Sequence, residues 1–443
     1  MEKKPARYDV VVIGAGFAGV TAARELATRG FRTLVVEARP EAGGRVRTTT
    51  LSNGEVVEIG GTYVHWLQPH LWSEITRYGF VDEVVESGEA PGSVLAPGPG
   101  GGLEWSDGDA HAAREKRLFS AFFEGSDRIV PKPFHPGDAA EEVAIADGMT
   151  IADRLDRMTL EEPDRALLEA FFGVHTGVGP EEGSYLTEVR WWAPSGHDHR
   201  AMQDSVWTYR LAGGLSRLVE AILADGGSEV WLGEPVTAVT QHAEGVEVRT
   251  GSGRSVSARA AVVATPSGVW PHLAFEPPLQ PIRTDAAKDG LQAPGGSKGY
   301  IVVRGESRAV SVQPRPGHAL GALMTSHRRS DVEQVMVFFG TPHLRDATDR
   351  VQVEAAVRDF LPHVDVVELV GRNYDLSDPA LRGGWPVMKP GQFGRFLPHE
   401  TLQAPQGRLV FATADIATGW NGFIDGAIES GLIAARQLLA MLR

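Results

Sequence analysis

At 443 residues, with 42% hydrophobic and 23% charged side chains, the chain is long enough for two domains, or one with a large insertion, and apolar enough for a full core. A formal net charge of −14 with no basic block argues against a nucleic-acid or anionic-membrane partner. Cysteine is absent, which excludes disulfides, thiolate metal sites, thiol catalysis and any cofactor linked through cysteine sulfur.

The chain enters its first apolar run without an apolar targeting segment, and no stretch reaches the roughly eighteen apolar residues of a membrane helix. The expectation is a soluble protein of the cytoplasm. The first run, Val10-Val11-Val12-Ile13, has no polar alternation and reads as a strand buried on both faces of a parallel sheet. Gly14-Ala15-Gly16-Phe17-Ala18-Gly19 follows at once and opens a helical register with Ala22, Ala23, Leu26 and Ala27 on one side. A second strand, Thr33 to Val36, ends in Glu37.

Each part has a task in holding a dinucleotide. Gly14 permits a tight turn, Gly16 lets backbone approach a pyrophosphate, and Gly19 allows close helix–strand packing. The helix N-terminus offers unpaired N–H groups and a positive dipole end to that anion. Glu37 falls roughly twenty residues past the glycines, where a carboxylate accepts hydrogen bonds from a ribose diol. A bare GxGxxG is weak, but strand, helix, strand and acid together make a dinucleotide site.

Farther on, Gly43-Gly44-Arg45 and a strand over Val56, Val57 and Ile59 lead to Gly60-Gly61-Thr62. Paired glycines at strand ends let backbone approach something flat or anionic, and Arg45 is in reach of phosphates. Pro91 to Gly102 reads as an irregular loop or a β-turn connection. Helices are predicted over His111 to Ile129, Thr150 to Met158 and Glu161 to Phe172. Gly213-Gly214 precedes a short amphipathic helix, followed by strands near Val230, Val236 to Val239, Val246 to Val248 and Ala260 to Val263. Strands at Tyr300 to Val303 and Val335 to Phe339, and a helix at Val351 to Phe360, form a second excursion. The chain closes with a strand over Arg408 to Ala412 and a helix from Ile424 to Met441.

Four blocks resemble the flavin-containing amine oxidase family, which includes monoamine and polyamine oxidases. They are VVVIGAGFAGVTAAREL…LVVEARPEAGGRVRT, VEIGGTYVHWLQPHLW, VVATPSGVW…FEPPL…GGSKGY, and RLVFATADIATGWNGFIDGAIESG. The second block is similar to a bacterial branch acting on nicotine-type amines. The resemblance implies an α/β fold: a Rossmann-type FAD-binding domain (1–80, 205–292 and 388–443) with a discontinuous α+β substrate domain (81–204, which is a helical insertion, and 293–387). It implies FAD rather than NAD, held noncovalently for want of a cysteine. Glu37 and Arg39 then belong at the adenosine ribose, and Val236 at the adenine. Gly43, Gly44, Arg45, Gly60, Gly61 and Thr62 lie along the phosphates and flavin. Asp415 stands where the family usually has a glutamate near the phosphates and ribitol, and Gly422, Phe423 and Ile424 open the last helix toward the flavin.

Lys298 matches the family lysine that reaches flavin N5 through a water, and Trp385 and Phe423 match the two aromatic positions flanking the substrate amine. Both are commonly tyrosine in the family, so this pair implies a bulkier, less polar slot. Trp66 and Phe172 are further candidates for the substrate wall, with Trp191, Trp192 and Trp207; His65 is a candidate polar contact. His197-Asp198-His199 lacks a third ligand at helical spacing, and no metal is expected.

The implied reaction is amine oxidation by hydride transfer to flavin N5, hydrolysis of the imine, and O2 or another electron acceptor. The aromatic pair favours an apolar, cyclic or aryl-bearing amine. An L-amino-acid oxidase is the alternative, but no arginine for a carboxylate follows the paired glycines before Arg77. An amine dehydrogenase with a protein acceptor is another. A homodimer is a family-level expectation only.

Overall fold

A computed structural model describes residues 8–397 and 401–442; the outermost residues of the expected cofactor domain, 1–7 and 443, and its residues 398–400 lie outside that range. Two large sheets organise the fold, which is mixed α/β as the sequence implied. The first has eight strands. Its centre is Tyr8–Ile13, parallel to Thr33–Val36 on one side and to Ser255–Val263 on the other. Val10, Val11 and Val12 are fully buried, as an apolar run without alternation requires. Beyond these lie Glu229–Trp231, parallel to Thr33–Val36, and Leu409–Phe411, parallel to the end of Ser255–Val263. An antiparallel pair, Val236–His242 and Gly245–Thr250, extends the other edge.

The helix Phe17–Ala27 packs its small face against the long final helix Ile424–Leu442. Contact is close because Gly431 faces the backbone of Ala18, where a Cβ would come within 2.4 Å of the carbonyl oxygen.

The second sheet has seven strands. Ser297–Arg304 pairs antiparallel with both Glu333–Gly340 and Asp365–Asn373. Leu320–Arg328 and Val310–Val312 continue it toward Ser93–Pro97 and Leu103–Asp107. Those last two strands make a hairpin, so the glycine–proline stretch at 91–102 resolves to the β-turn connection and not to an irregular loop.

The predicted helix over His111 to Ile129 is two helices. Asp107 caps Gly108–Phe122 by accepting from the Asp109 and Ala110 N–H groups, and Gly125, at φ +81°, breaks the run before Ser126–Ile129. The helix Glu162–Thr176 stops at Gly177, also left-handed at φ +65°. Tyr185–Trp192 follows, capped by the Ser184 hydroxyl, and Asp204–Thr208 forms a single π-helical turn. No helix of the described residues is long and apolar enough to cross a membrane.

Candidate active site

A cavity of about 540 Å³ is walled by both sheets and the helices between them, a size typical of small-molecule sites. It starts at the ends of the parallel strands. Glu37 is buried there, with Oε2 accepting from Ala15 N at 2.7 Å and Oε1 from Arg39 N at 2.9 Å. Burial raises its carboxyl, partly opposed by those backbone donors. The Glu37 carbonyl accepts from Glu234 N at 2.8 Å, bringing Pro235 and Val236 into the same wall.

The three fingerprint glycines have different surroundings. A Cβ on Gly14 would meet the Ala264 carbonyl oxygen at 2.9 Å, at φ +106°. One on Gly19 would meet the Gly14 carbonyl oxygen at 2.0 Å. On Gly16 it would meet nothing nearer than Gly44 Cα at 3.9 Å. Gly14 and Gly16 line the cavity, whereas Gly19 is spent on packing behind it. Gly16 also caps the first helix without a side-chain hydrogen bond, leaving that end to the cavity.

Gly43, Gly44 and Arg45 continue the wall. Arg45 Nη2 pairs with Asp415 Oδ1 at 2.8 Å and Nη1 donates to Gly384 O at 3.3 Å. Asp415 is fully buried, and its Oδ2 accepts from Ser267 N and Oγ, both at 2.8 Å. It therefore stands behind Arg45 and does not itself line the cavity. Arg39 is ion-paired with Asp378.

Lys298 lies on Ser297–Arg304, the second strand from one edge of its sheet, and is 5% exposed. Its ammonium donates to Gly60 O at 3.2 Å and to Thr62 Oγ1. The rings of Tyr63, Phe339 and Tyr300 surround it at 5.3, 5.4 and 5.8 Å. Burial pulls its pKa down to about 7, against the opposing pull of buried Glu58.

Trp385 and Phe423 both line the cavity, each half-buried. Trp385 Nε1 donates to His175 O, and its ring lies 2.9 Å from where a Cβ on Gly296 would stand. Phe423 packs edge-on against Trp420 and Trp191, at 5.0 and 5.9 Å. Gly61, Gly422 and Ile424 are also at the wall.

The structure takes two expected substrate-wall residues elsewhere. Phe172 is fully buried among Phe119, Phe122 and Phe171; its apolar helical stripe is core. Trp66 is 50% exposed and packs on His65, Tyr209 and Trp72, outside the cavity. Trp192 stacks on Phe123 at 4.0 Å, and His65 lies under Trp66, so neither is at the wall, while Trp191 and Trp207 are. The wall also includes Tyr63, Phe339 and His175, which the sequence reading did not single out. A histidine at a helix end gives no signal of its own; only its neighbours in space mark it. The ring nitrogens of His197 are taken by Ser126 Oγ and Val130 O. Among the described residues, no group of three His, Asp or Glu is placed to hold a metal.

The model of the flavin-containing amine oxidoreductase family matches residues 17–439. The chain belongs to this family. It is similar to a pseudooxynicotine dehydrogenase of Pseudomonas sp., 34% identical over 98% of this chain and 87% of that one. A nicotine dehydrogenase of Pseudomonas putida is 31% identical over 98% and 89%. Among solved structures, cyclohexylamine oxidase from Brevibacterium oxydans superposes with a TM-score of 0.77 at 24% identity, covering 99% of this chain and all of that one. Putrescine oxidase bound to putrescine gives 0.81 at 20%, covering 98% and 99%. These last two show a shared fold.

As a flavin-containing amine oxidoreductase the chain uses FAD and oxidises amines. The cavity fits that cofactor. It joins an acid held by backbone donors, a glycine floor open at Gly16, an uncapped helix end, an arginine, and a buried lysine near aromatic walls. Thr265 Oγ1, buried and without a protein partner, faces the same space. With no cysteine in the chain, noncovalent binding is consistent with the family.

Proposed function

We propose that this flavoenzyme oxidises an apolar, cyclic or aryl-bearing amine, with O2 as electron acceptor. The carrying observation is the wall composition around Lys298. Among the described residues, Glu37 is the only carboxylate lining the cavity, and backbone N–H groups already engage both its oxygens. A polyamine wants acids along its path; here Trp385, Phe423, Trp191, Trp207 and Phe339 offer aromatic surface instead.

In this reading Gly14, Gly16, Glu37, Arg39, Val236 and the 43–45 segment hold the dinucleotide end of FAD. Gly60, Gly61, Thr62, Lys298 and Gly422 to Ile424 surround its ring end. Residues 1–80, 205–292 and 388–443 serve the cofactor, and 81–204 and 293–387 shape the substrate side. FAD supplies the two-electron acceptor that takes a hydride from the carbon bearing nitrogen. The chain's task is to orient the amine, exclude water and favour its uncharged form. An alkylamine with a pKa near that of lysine, about 10.4, loses its proton near pH 7 at a cost of roughly 4–5 kcal/mol. Desolvation between aromatic rings lowers such a pKa by as much as ~3–5 units. Cation–π attraction, about 0.5–2 kcal/mol, opposes this and is the smaller term.

The test is an anaerobic panel of amines mixed with the purified holoenzyme, followed by loss of flavin absorbance. Aryl and cyclic amines should bleach it fastest. Faster turnover of leucine or phenylalanine than of any simple amine would replace this reading with an amino-acid oxidase. A second reading, a dehydrogenase passing electrons to a protein, is favoured by the names of the two Pseudomonas relatives. Mixing the bleached enzyme with air separates the two: prompt recovery of colour with peroxide supports the oxidase. The bacterial relatives and cysteine-free composition support a bacterial cytoplasmic location.

A further inference from the structure

The loop Gly43-Gly44-Arg45 turns its carbonyls toward the protein and leaves two amides over. The Gly43 carbonyl accepts from Val46 N at 3.1 Å and the Arg45 carbonyl from Gly61 N at 3.2 Å. Between them, the Gly44 carbonyl accepts from Arg372 Nη2 at 3.2 Å. Gly43 N donates to Ala15 O at 2.9 Å, but among the described residues the N–H groups of Gly44 and Arg45 have no acceptor. Both residues line the cavity. Gly44 is left-handed, at φ +63°, and successive N–H groups about such a residue form a concave site for an anion.

Arg372 reaches this loop from the other sheet. It stands on Asp365–Asn373, directly opposite Lys298 on Ser297–Arg304, so the two side chains share a face. It is 6% exposed, with its guanidinium 4.9 Å from the Tyr374 ring and Nη1 buried without a partner. Burial lowers its pKa; Arg39 and Arg47 add to the fall, while Tyr374 and Asp378 oppose it. Arg39 is ion-paired with Asp378 and Arg47 with Glu41, whereas among the described residues Arg372 has no acid within ion-pair distance. A buried cation without a counter-charge is costly, yet this one is kept behind a carbonyl of the cavity wall.

We propose that Arg372 is a positioning residue for the cofactor's diphosphate, holding the Gly44 carbonyl on the protein side of the loop so that the next N–H, that of Arg45, faces the cavity. A trans peptide is planar, so a carbonyl drawn toward Arg372 sends the following N–H the opposite way. Without the guanidinium that peptide is free to turn over and present an oxygen to the anion. Arg372 is not part of the cavity wall; it acts through the loop, and the bound diphosphate supplies the counter-charge that the chain lacks. This rests on the placement of the 43–45 segment at the dinucleotide end of FAD.

FAD affinity is read on the full chain, loaded with excess FAD and then diluted, from the flavin fluorescence that release restores. Arg372→Met should weaken binding by about tenfold or more, the worth of one charge-assisted hydrogen bond. The visible spectrum of the flavin still bound should stay that of wild type, because the ring end is untouched. Arg372→Lys, again a charged donor, should return affinity to within about threefold of wild type. Affinity within about twofold of wild type in Arg372→Met, or a Lys variant no tighter than the Met variant, would overturn the role of Arg372. If the Met chain does not fold, Arg372→Gln, uncharged and shorter than arginine, takes its place under the same criteria. Arg45→Met tells the two readings apart: weaker binding there but not in Arg372→Met sinks Arg372 alone, and unchanged binding in both removes the 43–45 segment from the diphosphate.

Discussion

Lys298 Nζ donates to the backbone carbonyl of Gly60 at 3.2 Å, tying the strand Ser297–Arg304 of the seven-stranded sheet to the paired glycines that follow Val56–Glu58. Thr62 Oγ1 is its other acceptor, and among the described residues no acid is in direct contact with it. Below its pKa of about 7 the lysine is a cation placed to stabilise negative charge that develops beside it.

Lys298→Met removes that charge but keeps the stem. At a pH below the lysine's value of about 7, air reoxidation of the reduced variant should slow by at least about tenfold relative to wild type, with FAD retained on gel filtration. Equal reoxidation rates in stopped-flow would deny the lysine this part.

The same lysine links stability to pH. Its folded pKa lies near 7, below the ordinary value of 10.5, so between those values the unfolded chain holds a proton that the folded chain has lost. Stability should therefore rise with pH across this window, with a contribution of up to about 1.4 kcal/mol per pH unit. Denaturant titrations of the FAD-free protein from pH 7.5 to about 9.5 should give a shallower rise in Lys298→Met. Parallel slopes in the two proteins would place the lysine proton elsewhere.

The fingerprint glycines should part company under substitution. Gly16→Ala should leave the FAD-free protein's melting temperature close to wild type while weakening FAD retention by about tenfold or more, because the methyl group enters the cavity and not the protein. Gly19→Ala should destabilise the protein with or without FAD, by about 1–3 kcal/mol or more, because its methyl overlaps the Gly14 carbonyl. Thermal melts and flavin content after dialysis read the two effects separately.

Turnover should depend on the amine's own proton. With the charged form excluded from an aromatic pocket, kcat/KM should climb about tenfold per pH unit and level off near the substrate's pKa, about 10.4 for a simple alkylamine. A flat profile between pH 6 and 10 would contradict the desolvated slot.

The cofactor half was more legible from residues than the substrate half. An unbroken apolar run followed by glycines admits few structures, and Tyr8 to Glu37 folds as that pattern requires. Lys298 carries no such local signal and came into view only through its family block. The strand Leu320–Arg328 escaped notice because register shifts at Leu320/Ala322 and Thr325/His327 break the alternation that marks a strand. Phe172 and Trp191 look alike as helical aromatics; which of them faces a cavity is decided by how separate helices meet, which no local pattern encodes. His175 adds a second case, since its neighbour Glu188, whose Oε2 is 3.3 Å from the ring Nδ1, belongs to another helix.

Ser93–Pro97 pairs with Val310–Val312, and Tyr8–Ile13 pairs with Ser255–Val263. Each sheet thus joins strands that lie far apart along the chain. The cavity between them takes wall residues from Ile13 to Ala427 and closes only once that whole span has been made. Flavin capture consequently waits on the last of those wall segments and cannot nucleate the layers that form it.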